Sequence, residues 1–364
     1  MALTRIQPPA VPDVREPNFR NIIINGNMAV SQRGTSTSSI TSNGYHTIDR
    51  WQTNCTAGGT WTQSQDTDVP TGQGFATSIK MDCTTADGSL AAGDRLIIQQ
   101  AIEGQNLQYL KKGTSSAASL TVSFWIKSVK TGTYILELYD NDNTRQISKS
   151  YTVSSASTWE KKTVTFAGDT TGTFGNDNAA SLYLNFWLAA GSTYSGGTLN
   201  TSWAANTNAN RAVGQVNLAD STSNDCWITG IQMEAGSVAT DFEVVPYGQN
   251  LERCLRYYYV HAEGNTKQIG SGGYYNSTYV TSTLQFPQEM RAAPSLIKAT
   301  GTDYYGIYRD NTIDTFNDFN NGIQNATTTS CGMDCSANVS GTSGWYGRVI
   351  TYNASASIAF SSEL

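Results

Sequence analysis

Residues 21 to 34 read NIIINGNMAVSQRG and residues 44 to 51 read GYHTIDRW. Together they bring Arg33, His46, Asp49, Arg50 and Trp51 into one short span: a base, a carboxylate, two guanidiniums and an indole, from which proton transfer or anion recognition could be assembled. The rest of the chain does not support catalysis by such a group. His46 and His261 are its two histidines, whereas zinc hydrolysis, Ser-His-Asp and Cys-His chemistry each need a cluster of bases or ligands. No HExxH, GxSxG, Walker or GxGxxG pattern occurs, and the Cys331/Cys335 pair lacks further soft ligands. DNDN at 140 to 143 resembles the opening of a calcium loop, but Arg145 stands where that motif needs glycine and Tyr151 where it needs glutamate. Asp49, Glu103, Glu137, Asp140, Glu234, Asp241 and Glu243 could supply the two carboxylates of a glycoside-cleaving site, yet any β-rich chain of this size carries as many. The reading is of a protein that is not an enzyme and uses no cofactor or metal. Arg33, Asp49 and Arg50 are expected to satisfy one another, or nearby carbonyls, beneath a Trp51 that belongs to the core.

Aromatic residues give the better chemical signal. Tyr and Trp set beside Asn, Ser, Thr and Gly offer flat rings next to short hydrogen-bonding groups, which suits a protein partner or the C–H face and hydroxyls of a sugar. Tyr194 and Trp203 fall in the polar stretch 191 to 224, and Tyr274, Tyr275, Tyr304, Tyr305, Trp345 and Tyr346 fall in a tyrosine-rich C-terminal region. These are the candidate binding residues. The competing reading of each one is ordinary core or cross-strand packing.

The elements that must position them are strands. From residue 21 onward the chain alternates apolar and polar residues in short runs punctuated by turn residues, the pattern of a β-sandwich. Strands are predicted at 119–128, with Leu120, Val122, Phe124 and Ile126 on one side, and at 133–140, 161–168, 181–190 and 226–236. The DNDN segment makes a hairpin turn. The stretch 191 to 224 lacks apolar periodicity and is expected to be a functional loop or an intersubunit contact. A short helix is predicted from about Leu251, followed by an aromatic strand. Further strands are predicted at 274–286, 306–311 and 344–353, and PQEMRAAPS (287 to 295) should cross between sheets. The predicted fold is all-β: a jelly-roll sandwich over 21–246, then a smaller β-sandwich over 247–364. Residues 1–20 form an extended arm in which Pro8, Pro9, Pro12 and Pro17 block helix; with Ile6 it is expected to anchor on a partner.

Composition narrows the partners. Charged residues are 14% of the chain, against about 25% in average soluble proteins, and the formal net charge is −6. No basic run exists to release counterions from a phosphate backbone, so nucleic acid is not expected as a partner. No apolar run is long enough for a membrane span and the N-terminus shows no secretory h-region, so folding in the cytosol without membrane insertion is expected. The six cysteines are expected to be free and mostly buried.

The ordered series NIIINGNMAVSQRG, GYHTIDRWQ, SLTVSFWIKS, TWEKKTVTFAGDTTGTFGND, LYLNFWLAAGSTY, GQVNLADS, WITGIQMEAGSVATDFE, YGQNLERCLRYYY and FPQEMRAAPS resembles a family of bacteriophage virion proteins. These are tail-fibre or related structural proteins, frequent in marine phages, whose main domain is similar to the jelly rolls of carbohydrate-binding modules. The resemblance spans about residues 21 to 295. It implies a noncatalytic virion component, a homotrimer held to other virion proteins by its N-terminal arm, displaying its distal domain to a host cell-surface glycan. It leaves open a capsid decoration, head fibre or tail adaptor, and, as a third reading, a glycan depolymerase. Some sandwiches of the carbohydrate-binding kind hold a structural calcium, but no ligand set for one maps onto this sequence.

Overall fold

The computed structural model describes residues 20–364. The arm residues Ile6, Pro8, Pro9, Pro12 and Pro17 lie outside the described residues. Period-two alternation is realised as antiparallel sheets. Leu120, Val122, Phe124 and Ile126 all enter one core, on a strand that runs Leu120–Ser128. The strands predicted after it run Gly132–Asp140, Glu160–Phe166, Ala180–Ala190 and Asp225–Ala235.

In the first sandwich, one six-stranded sheet is ordered Ser36–Ile40, Thr60–Asp66, Ser78–Thr85, Asp225–Ala235, Leu120–Ser128, Glu160–Phe166. Facing it is a seven-stranded sheet ordered Ala204–Ala205, Arg145–Val153, Gly132–Asp140, Ala180–Ala190, Arg95–Glu103, Gln52–Thr56, Gly44–Tyr45. Their inner faces share one core that includes Trp51, Trp61, Phe124 and Phe186. Phe124 meets Phe186 edge-on with ring centroids 5.0 Å apart, the arrangement the ring quadrupole favours.

The second sandwich has its own core, built around Tyr305, Phe316, Phe319 and Phe360. A three-stranded sheet, Tyr258–Glu263, Ser357–Ser361, Ser295–Lys298, packs with a seven-stranded one ordered Thr312–Phe316, Tyr305–Arg309, Tyr346–Thr351, Gln268–Asn276, Tyr279–Gln285, Ser330–Cys335, Ile323–Gln324. The segment 287 to 295 crosses between these sheets. The single strand predicted over 274–286 is instead a hairpin, broken at Ser277 and Thr278. The helix runs Tyr247–Leu255, starting earlier than predicted, directly after Pro246. All six cysteines are free and buried, and burial pushes the Cys331 thiol up to about 11.

The opening motif does more than start the fold. Asn25, in the left-handed region at φ 58°, donates through its amide to the Val30 and Asp49 carbonyls at 2.8 and 3.0 Å, and its own carbonyl accepts the Trp51 indole N–H at 3.2 Å. Asp49 is buried; it accepts the Gln32 N–H at 3.0 Å and lies 3.7 Å from Arg33, while burial raises its carboxyl above the usual range. Arg50 donates to the Ala101 carbonyl at 2.7 Å. Both arginines also reach the other end of the chain: Glu363 pairs with Arg50, and with Arg33 at 3.2 Å. Each guanidinium lies 3.5 Å from a tyrosine ring centroid, Arg33 over Tyr258 and Arg50 over Tyr257. Arg256 adds a bidentate bond to Glu103 at 2.8 Å. The motif that looked like an active site is the joint that fastens the two sandwiches.

Candidate functional site

The sequence-selected aromatics divide sharply. Tyr274 (2% exposed) and Tyr305 are core residues, which corrects the expectation that they stand at the surface. The Tyr305 hydroxyl donates to the Ala299 and Ser357 carbonyls at 2.8 Å, and Tyr304 packs half-buried against the same core. Tyr194 (9% exposed) is also buried. The outer face of the seven-stranded sheet of the first sandwich carries Ile97, Ile135 and Trp187, and the long loop folds down to cover them with Tyr194 and Ala212. Tyr194 packs on Trp187 with centroids 5.4 Å apart. Arg211 from the loop grips buried Glu137 bidentately at 2.7 and 3.0 Å, and Glu137 also accepts the Trp187 indole N–H and the Asn185 amide, each at 2.9 Å. Trp203 is half-buried with its N–H on the Ala167 carbonyl at 2.7 Å. The loop is a cover for this sheet, with Tyr194 consumed in making it, while Trp203 packs against the main core of the sandwich.

Tyr275 (75% exposed), Trp345 (43%) and Tyr346 (79%) do stand in solvent, joined by Tyr308 (38%). They are positioned by the larger sheet of the second sandwich. Residues directly opposite on neighbouring strands share a face, and the register therefore gives the composition of the outer surface. One row runs Tyr346, Gly273, Thr281, Asp334. The next runs Ile313, Tyr308, Arg348, Ser271, Thr283, Gly332. Ser271, Thr281, Thr283 and Arg348 are exposed. The face is thus a floor of small and hydroxyl-bearing residues walled on one side by tyrosines. At Gly273 a Cβ would come within 3.0 Å of the Tyr346 ring, so the glycine leaves room for that ring against the strand. The Tyr305–Arg309 and Thr312–Phe316 strands are joined by Asp310 and Asn311, both at positive φ, 43° and 57°, as a tight primed hairpin turn requires.

The rim is rigidly built. The Arg309 guanidinium sits between the Tyr274 and Trp345 rings, 4.9 and 4.7 Å from their centroids. Tyr274 donates its hydroxyl to Asp314 at 2.6 Å, and Asp314 also accepts the Ser340 N–H at 2.8 Å. Burial first, then the bond to Asp314, pushes the Tyr274 phenol up to about 12. The segment before Trp345 is tied down by Gly341 N–H to the Ser277 carbonyl and Gly344 N–H to the Tyr274 carbonyl, both 2.9 Å. Tyr275 contacts Tyr279 edge-on, and the Tyr279 hydroxyl donates to Asp334 at 2.8 Å. The other oxygen of Asp334, a residue 7% exposed, has no hydrogen-bond partner among the described residues. This surface can stack a flat apolar face on Tyr346 and hydrogen-bond hydroxyl groups along the floor. Among the described residues no group of three or more His, Cys, Asp or Glu side chains could hold a metal ion, and no helix is long and apolar enough to cross a membrane.

Tyr308 and Arg348 were missed at the sequence level; both sit mid-strand, where the alternation alone gives no sign of which face stays bare. Three tryptophans were also passed over. Trp125, Trp159 and Trp227 sit half-buried or buried at the outer face of the six-stranded sheet. Trp227 lies between Lys80 and Lys127, 5.1 and 4.2 Å from its ring centroid, and donates to Asp66 at 3.1 Å. Trp159 donates to Asp68 at 2.9 Å.

No family model matches the chain. No curated protein matches it either. Similar solved structures include the enzymatically active domain of tailspike protein 4 from bacteriophage CBA120, 14% identical with a TM-score of 0.31 over 60% of this chain and 22% of that one. This chain therefore spans about a fifth of that tailspike chain. A family 11 carbohydrate-binding module from Clostridium thermocellum, in complex with a mixed-linked tetrasaccharide, is 13% identical with a TM-score of 0.27 over 57% of this chain and 98% of that one. The N-terminal cellulose-binding domain of a Cellulomonas fimi glucanase is 14% identical with a TM-score of 0.28 over 58% and 100%.

Proposed function

We propose that this chain is a noncatalytic phage virion component, a tail fibre or receptor-binding protein, whose second sandwich binds a host surface glycan on the face around Tyr346. The observation that carries this reading is the bare floor of Ser271, Thr281 and Thr283 beside exposed Tyr346, Tyr308 and Tyr275. Exposed rings are costly to leave in water unless a partner uses them, and a ring beside hydroxyls matches the two chemistries of a sugar. The ordered motifs over residues 21 to 295 support the virion assignment. The proposed assembly is a homotrimer, attached to other virion proteins through residues 1–20. Several copies per particle would raise weak single-site binding by effective concentration.

The test is an array of purified bacterial surface polysaccharides probed with the whole protein and with Tyr346→Ala. Binding by the parent and loss in the variant is the expected result. Equal binding by both would exclude this face. A capsid decoration would instead show copy numbers that follow capsid symmetry and unimpaired adsorption when the protein is missing.

A further inference from the structure

We infer that the sugar taken by the Tyr346 face is anionic, with its negative group received by Arg348. This rests on the reading of that face as a glycan site. Arg348 is exposed on the face itself, between Tyr308 on one neighbouring strand and Ser271 on the other. Its guanidinium lies 5.2 Å from the Tyr308 ring centroid, and this is its only polar or ring contact among the described residues. Stacking on a tyrosine orients a guanidinium without using its N–H donors. A planar fork with free donors fits a carboxylate or another oxyanion bidentately.

The surrounding charges leave it available. Asp314 is occupied by Tyr274 and Ser340, and it pairs with Ile307, the residue next to Tyr308, and so lies on the opposite face of the sheet. Asp334 lies in the Tyr346 row, three strands along the sheet from that of Arg348, with one oxygen taken by Tyr279. The other guanidinium nearby, Arg309, is committed to holding Trp345 against Tyr274 and to the Ser340 carbonyl at 3.2 Å. In a chain of formal charge −6, an unpaired guanidinium in the middle of an aromatic and hydroxyl surface is a specific receptor for negative charge. Screening confines its pull to within about 8 Å at physiological salt, so it selects the sugar docked on the face and attracts nothing from afar.

The experiment is affinity gel electrophoresis of the whole protein through polygalacturonate, dextran sulfate or neutral dextran. Wild type should be retarded more by an acidic polymer than by dextran. Arg348→Gln should cut the acidic-to-neutral preference roughly tenfold, and Arg348→Lys, which keeps the charge but loses the fork, should fall between. Preference for polygalacturonate assigns a carboxylate sugar, and preference for dextran sulfate a sulfate- or phosphate-bearing one. If wild type prefers dextran, or Arg348→Gln keeps the full acidic preference, the inference is overturned while the glycan reading stands. If none of the three polymers retards wild type, or Tyr346→Ala is retarded by all of them as wild type is, both fall.

Discussion

Tyr194 and Tyr346 are the same residue in similar company, among Gly, Ser and Thr, yet one is folded under a loop and the other stands in water. The difference lies in the sheet beneath. Below Tyr194 the outer face carries Trp187, Ile97 and Ile135, apolar area that gains by being covered at roughly 25 cal/mol per Å². The loop supplies the cover and Glu137 with Arg211 pins it. Below Tyr346 the floor is Gly273, Thr281 and Ser271, which offer little apolar area to bury. Nothing draws a cover over that face, and its aromatics remain available to a ligand. Aromatic residues in polar loops therefore signal a site only when the surface under them is small and polar.

That comparison can be broken in graded steps. Removing the pin should do most: Glu137→Ala strands a guanidinium against a buried surface and should destabilise the first sandwich by about 3–5 kcal/mol, read as a lower urea midpoint and faster proteolysis within 191–217. Glu363→Gln, which leaves Arg33 and Arg50 without their shared carboxylate, should cost on the order of 3 kcal/mol. It should also loosen the joint, seen as a larger spread of interdomain distances in solution scattering. Tyr194→Ala should cost about 2–3 kcal/mol and leave glycan binding intact. Tyr346→Ala should change stability by less than about 0.5 kcal/mol while abolishing binding, the reverse of Tyr194→Ala.

A pH profile sharpens the account of the joint. Burial alone would raise the Glu103 carboxyl, but bonds from Arg256 and Tyr257 outweigh it and hold the group below the ordinary range. A carboxyl depressed on folding stabilises the fold above its unfolded pKa, about 4.3, and that contribution is lost as pH falls through the folded value. Glu103→Gln should therefore be less stable than wild type at pH 7 and lose less stability between pH 5 and acid, in urea midpoints measured across pH.

The sandwich architecture was legible because alternation is a local signal: Leu120, Val122, Phe124 and Ile126 declare their face without reference to anything distant. The hairpin at Ser277 and Thr278 was not legible, because aromatic residues flank the turn on both sides and read as one continuous strand. The helix start at Tyr247 was set by Pro246, which the apolar pattern does not register. The joint could not be read at all, since Arg33 meets Glu363 across a separation of 330 residues. Of the candidate binding residues, Tyr275, Trp345 and Tyr346 are exposed on the second sandwich. Tyr194, Tyr274 and Tyr305 are buried, because residue type and neighbours do not say what the opposite strand presents.

The most direct test of the central claim is tyrosine nitration mapped by mass spectrometry, with and without a polysaccharide that the protein binds. Tyr275 and Tyr346 should be modified in the free protein and protected by ligand, while Tyr194 should resist modification in both states. Full modification of Tyr346 in the saturated complex, or protection confined to the first sandwich, would contradict the account.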